Sequence, residues 1–361
     1  MKLLSLYEAV NEILSRLDFS RLYPHFNKYR YALYNHTEIC LDGKIMPYDQ
    51  RFLANTSILY EGNYIAIWNI EPEQQASLDV ELLAYGIVHE MFHCFQQEQG
   101  EDRFPDDLKL LVCASDPAHY AAKYQENQYL VDAFSGCKIE SLVRFSEIRN
   151  ARLAGCGDLT EELKAETIEG VAEYVGLKAL KVINEEKYRK ITLDYVDKLQ
   201  NDLDLLFDTR RISYYTGTLF CLTLEMLGLP VRNEFHGLPV YRQNIPFPAS
   251  PALSHKAPFP SEAATPDTAL LTELTRRFRA MEYRRKDILS THMAQSTYVE
   301  YPACICGYDP MNMFRVENLL YCSHFVFLQN GAETIKKDGP ILLALKGDSD
   351  REIAGYYELS Q

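Results

Sequence analysis

In the string GIVHEMFHCFQ, residues 86–96, His89 and His93 stand four positions apart and Glu90 directly follows the first. On a helix this spacing puts both imidazoles on one face, where they can bind a single ion. A zinc ion takes nitrogen ligands at roughly 2.0–2.1 Å, and a catalytic zinc needs three protein ligands with a fourth position left for water. Glu90 can lie beside that water and take its proton. Leu82, Leu83, Tyr85, Ile87, Val88, Met91, Phe92 and Phe95 would bury the same helix on several sides. Two histidines and a glutamate are costly there unless something satisfies them, and a metal does so. The plainer alternative is a pair of core histidines hydrogen-bonded to backbone.

A third ligand is available in ETIEGVAEYVGLKAL, residues 166–180, also with helical periodicity. Glu166, Glu169 and Glu173 fall at i, i+3 and i+7, on one stripe. Three like charges on one face repel unless solvent or a cation lies against them. A solvated acidic face would satisfy them too, but Val171, Ala172, Val175 and Leu177, with Gly170 and Gly176, point to close packing against another helix.

HExxH followed by EGxAEY resembles the gluzincins, metallopeptidases whose third zinc ligand is a glutamate on a second helix. In the neutral aminopeptidase branch that glutamate precedes a glycine, as Glu169 precedes Gly170. In thermolysin-like enzymes an acidic residue one turn later supports the first histidine, the place of Glu173. The resemblance therefore implies Zn²⁺ held by His89, His93 and Glu169, with Glu173 orienting an imidazole through its other nitrogen. Glu166 is the other candidate ligand. SYYTGTLFCLTLEMLG, residues 213–228, is similar to the aminopeptidase segment in which a tyrosine three positions before a glycine donates its hydroxyl to the oxyanion. That implies Tyr214, with Tyr215 as the alternative.

The implied activity is a zinc metallopeptidase with Glu90 as general base. Hydrolysis of a small amide or ester is the nearer alternative, and a non-catalytic binding protein that keeps the metal site is the farther one. The resemblance covers three short stretches. The chain between His93 and Glu169 is far longer than in either family, which requires an inserted helical hairpin. The GxMxN strand that holds a substrate amine in aminopeptidases is missing. Residues 64–68, just before the metal helix, read as a sheet edge able to pair with an extended peptide.

The elements that must position these groups are legible in outline, and the expected class is α+β. An amphipathic helix opens the chain. Residues 29–70 follow as a small antiparallel sheet, with turns at Asp42-Gly43 and Glu61-Gly62-Asn63. A mainly helical, zincin-like part runs on to residue 229, with helices expected near 77–99, 117–134, 138–153, 160–183, 187–207 and 212–228. Half of the prolines lie in 230–266, which reads as a linker or arm. A helix near 267–289 and a β-rich stretch complete 267–361.

Composition narrows the partners. A formal charge of −14 argues against nucleic acid or an anionic membrane surface. A peptide or small amide is the expected substrate. Glu8, Glu12 and Asp18 interrupt the first segment, so it is not expected to act as a secretory signal. Nine cysteines without a CxxC pair read as reduced thiols of a cytoplasmic protein, and Cys304, Cys306 and Cys322 lack zinc-ribbon spacing. Arg149 and Arg152 are candidates to pair with Glu126 or the acidic helix. His119, His236, His255, His292 and His324 have no motif around them.

Overall fold

The computed structural model describes residues 2–73, 78–112, 116–155, 159–245 and 267–359. Helices α1 (Leu3–Ser15) and α2 (Phe19–Leu22) precede strands β1 (Tyr31–Tyr34), β2 (Glu38–Leu41), β3 (Lys44–Pro47), β4 (Thr56–Tyr60) and β5 (Asn63–Asn69). The helical part comprises α3 (Val80–Glu98), α4 (Asp107–Leu110), α5 (Pro117–Gly136), α6 (Ile139–Gly155) and α7 (Leu159–Ala165). A π-helical turn, Glu166–Gly170, then leads into α8 (Val171–Ile183), α9 (Glu185–Asn201), α10 (Thr209–Met226) and α11 (Val240–Asn244). After these come α12 (Thr268–Ala294), β6 (Ser296–Tyr308), β7 (Met313–Val316), β8 (Leu319–Cys322), β9 (Phe325–Asn330), β10 (Glu333–Asp338), β11 (Ile341–Leu345) and β12 (Glu352–Leu359).

The protein is α+β, with one correction to the first sheet. Its order is β3-β2-β1-β5-β4, and β1 runs parallel to β5 (Ala32 opposite Ile67), so the sheet is mixed. The two hairpins are where the turn residues predict: Asp42 and Gly43, and Glu61 and Gly62, all have positive φ. The parallel pairing arises because the chain returns from β4 through β5 into the middle of the sheet. Strand β5 consequently has a neighbour on each side, with Ala66 and Ile67 paired to both β1 and β4, and β4 forms that edge instead.

Helix α3 lies across this sheet. Asp79 caps it by accepting from the backbone of Glu81 and Leu82, and Gly100, in the left-handed region, follows its end. Gly86 lets the Trp68 ring lie directly on the helix; a Cβ there would come within 2.4 Å of the indole. Gly176 of α8 admits Tyr85 in the same way, at 3.1 Å. Helix α3 is thus sandwiched between sheet and α8, and apolar residues ring it. Helices α5 and α6 form the hairpin that the spacing demands, and they pack against each other.

The C-terminal sheet is antiparallel, in the order β10-β9-β6-β12-β11-β8-β7, and has its own apolar core, which Leu108 of α4 joins. Helix α12 bridges the two bodies: Leu274 and Met281 belong to the large core, while His292 contacts the Tyr357 carbonyl of β12 at 3.1 Å. The start of the proline-rich stretch, read as a linker or arm, lies on the surface of the helical body. Val240 and Tyr241 of α11 are buried against the helical body, because Tyr241 reaches the Ser146 carbonyl at 3.1 Å and Val240 N–H reaches Thr167 Oγ1 at 3.0 Å. Residues 246–266, His255 among them, lie outside the described residues. Among the described residues no helix is long and apolar enough to cross a membrane.

Candidate metal centre

His89 Nε2, His93 Nε2 and one oxygen of Glu169 converge on a common point. The two nitrogens are 3.1 Å apart, and Glu169 Oε2 is 3.2 Å from His93 and 3.6 Å from His89. Donors bonded tetrahedrally to a zinc ion at the usual bond lengths would be roughly 3.3–3.4 Å apart. Among the described residues this is the only group of three His, Cys, Asp or Glu whose ligand atoms come so close together.

The outer nitrogens fix the tautomers. His89 donates from Nδ1 to Glu173 at 2.9 Å, and His93 donates from Nδ1 to Gln96 Oε1 at 2.7 Å. Both Nε2 atoms therefore present lone pairs, facing each other and a carboxylate oxygen among buried residues. With both imidazoles neutral, three acceptors meet here without a donor, a repulsion that a proton or a metal ion would relieve. Burial opposes charge on His89, yet hydrogen bonds to Glu169 and Glu173 and the charge of Glu90 push its pKa up to about 10. The field that would hold a proton there would equally hold a metal ion.

The carboxylates differ in environment. Glu169 is held well below the ordinary range: burial opposes this, but Arg210 and the two imidazoles outweigh it. Arg210 Nη2 meets Glu169 Oε1 at 2.6 Å, leaving Oε2 for the histidines, and its other nitrogen is paired with Asp107. Glu90 is raised, chiefly by burial, with the imidazoles opposing. Its side chain makes no hydrogen bond among the described residues, although the residue is only 8% exposed. Glu173 accepts from the Tyr85 and Tyr195 hydroxyls on Oε1 while its other oxygen holds His89.

The three glutamates do not share one face as regular helical spacing predicts. The π turn inserts an extra residue, which shifts the phase by roughly 100°. Glu169 and Glu173 turn toward the histidines, and Glu166 turns away to Arg149 and to Thr216 Oγ1, the latter at 2.6 Å. Glu166 is thus outside the group that could hold an ion, and its carboxylate is engaged by Arg149 and Thr216. The Ile168 carbonyl in the π turn accepts the Gln96 amide at 3.1 Å, so Gln96 ties His93 to the turn that carries Glu169.

Tyr214 lies over His89, rings parallel to within 7° and centroids 5.9 Å apart. Burial and the neighbouring Glu169 carboxylate raise its pKa well above that of an ordinary phenol. Tyr215 turns instead to Tyr195, at 4.6 Å between centroids. Gln96, Tyr195 and Arg210 were not singled out in the sequence, and Tyr85 was read only as one of the residues that bury the helix. Three of them carry a usable signal: Gln96 is three residues after His93, Tyr85 four before His89 and Arg210 four before Tyr214, each on the same helix face.

No family model, curated protein or solved structure matches this chain. The site must be read from its own geometry.

Proposed function

We propose that the chain is a zinc-dependent hydrolase of the gluzincin type, a metallopeptidase. The observation that carries this is the meeting of His89 Nε2, His93 Nε2 and Glu169 Oε2 within 3.6 Å, with the unbonded carboxylate of Glu90 on the same helix. Two imidazoles and one carboxylate suit zinc, and Glu173 and Gln96 hold the outer nitrogens as zinc-binding histidines require. When bound, the ion supplies Lewis acidity, which polarises a carbonyl and makes water acidic near neutral pH.

The chain's own groups would do the rest. Glu90, made more basic by burial, accepts the proton of the attacking water and passes it to the leaving nitrogen. Tyr214 keeps its proton and donates the hydroxyl to the negative charge that grows on the carbonyl oxygen. Arg210 and the two Glu173 phenols hold the ligands in place. The described cysteines form no disulfide, which supports a reducing compartment, the cytoplasm. A small amide or ester is the second reading, favoured by the 8–11% exposure of the His89, His93 and Glu169 side chains.

The test is the zinc content of purified protein together with cleavage of a mixed peptide library and of small amide and ester substrates. Glu90→Gln should keep zinc and lose turnover. Tyr214→Phe should keep zinc and lose roughly 10²–10³ in turnover. Normal peptide hydrolysis by zinc-loaded Glu90→Gln would overturn the mechanism, and cleavage confined to small substrates would favour the second reading.

A further inference from the structure

Six charged side chains fill the interior between the helical hairpin and the π turn. Lys123 and Glu126 come from α5, Arg149 and Arg152 from α6, Glu162 from α7 and Glu166 from the turn, and none of these residues is more than 4% exposed overall. They form a chain of alternating sign. Lys123 Nζ is 3.3 Å from Glu162, which takes Arg152 at 3.0 Å. Arg152 reaches Glu126 at 2.6 Å, Glu126 takes Arg149 Nε at 2.8 Å, and Arg149 Nη2 ends on Glu166 at 2.8 Å.

As a source of stability this arrangement is poor. Burying charges costs desolvation that their attraction barely returns, and apolar residues of the same volume often do as well. The cluster is also incompletely bonded, since Lys123 Nζ, both ends of the Asn127 amide and Arg152 Nε lack hydrogen-bond partners among the described residues. What it does supply is register. Its last member, Glu166, is the first residue of the π turn and is gripped from two sides, by Arg149 and by Thr216 of α10. Because the extra residue of the turn sets the rotation of everything after it, fixing Glu166 fixes where Glu169 points.

We propose that the Glu166 end of this buried charge chain is a positioning device for the metal ligand, with Arg149 and Thr216 acting through Glu166 to aim Glu169. The α5–α6 hairpin between the two metal helices then has a purpose: it delivers Arg149. The inference rests on Glu169 being a metal ligand and does not depend on hydrolysis.

The experiment uses the full chain loaded with Co²⁺, whose visible spectrum reports coordination geometry, and a Zn²⁺ competition titration against a chromophoric chelator. Arg149→Met should weaken zinc binding by roughly tenfold to a hundredfold and change the cobalt spectrum. Arg149→Lys and Thr216→Val should each show a smaller shift in the same direction, and they carry the test if Arg149→Met does not fold. Lys123→Met, at the far end of the chain, should lower the melting temperature but leave affinity within twofold and the spectrum unchanged. Wild-type affinity and spectrum in the Arg149→Lys and Thr216→Val proteins would overturn the proposal, as would an equal loss in Lys123→Met. A wild-type protein that binds neither ion would sink the metal-centre reading itself, and the proposal with it.

Discussion

Gly170 and Gly217 meet backbone to backbone: a Cβ on Gly170 would lie 2.6 Å from the Gly217 Cα, and one on Gly217 would lie 2.6 Å from the Glu166 carbonyl oxygen. Neither glycine is needed for its backbone angles, since both sit in helical turns. They are needed because no side chain fits between α10 and the π turn. This approach brings Arg210 against Glu169 and Tyr214 over His89.

Gly217→Ala should therefore harm the site although alanine is the better helix former. The added methyl must push α10 away, at a cost of about 1–3 kcal/mol for overpacking, against a helical gain of roughly 0.5–1 kcal/mol. The expected result is a lower melting temperature and weaker zinc binding in the same protein. Thermal unfolding with and without zinc checks both, and an undisturbed zinc-induced stabilisation would show that α10 can shift without moving Glu169.

Gln96→Leu removes two bonds at once, the acceptor for His93 Nδ1 and the donor to the Ile168 carbonyl. The leucine fits the apolar surroundings but leaves a buried carbonyl and an imidazole N–H without partners. Zinc affinity should fall roughly 10–100-fold, as for other residues that orient metal-binding histidines. Gln96→Glu keeps an acceptor for His93 and loses the donor, so it should lie between the two. Calorimetric zinc titration of both variants orders them.

Glu173 is kept ionised by its neighbours. Burial alone would raise its pKa, but the bonds from His89, Tyr195 and Tyr85 bring it below the ordinary carboxylate value. In Tyr85→Phe or Tyr195→Phe one phenol still covers Oε1, and each single variant should lose only a few-fold in zinc affinity. Removing both phenols leaves that oxygen bare, so the double variant should lose more than the two single losses combined. A double-mutant cycle on the zinc dissociation constant measures the difference, and strict additivity would show that the two phenols act independently.

How far the sequence discloses this site follows from the range of each signal. His89, Glu90 and His93 are legible because their chemistry and spacing lie within five residues of one helix. Glu169-Gly170 is legible through the glycine, whose need is a contact with a helix some 50 residues away. The π turn is not, because Glu166, Glu169 and Glu173 keep regular α-helical spacing and only the pull of Arg149 and Thr216 distinguishes the first from the other two. The parallel β1–β5 pairing is hidden for a similar reason: alternation within a strand shows its buried face but not which neighbour it joins. Tyr195 has no local pattern at all.

His119, which stands in no motif, predicts a pH dependence of stability. Burial, with the positive charges of Arg152 and Lys123, lowers its pKa to about 4, while Glu162 and Glu126 pull the other way. In the unfolded chain the imidazole returns to about 6.5. Between those values the unfolded state binds the proton and the folded state does not, so stability falls as the pH drops from 6.5 toward 4 and is unaffected above that window. Carboxylates titrate in the same range, so His119→Gln is the needed reference. The stability difference between wild type and variant should shrink on acidification, by at most about 1.4 kcal/mol per pH unit. Urea unfolding at pH 7.5, 5.5 and 4.5 reads it directly. A difference that stays constant would mean that neither burial nor the neighbouring cations lower the pKa of this ring in the folded protein.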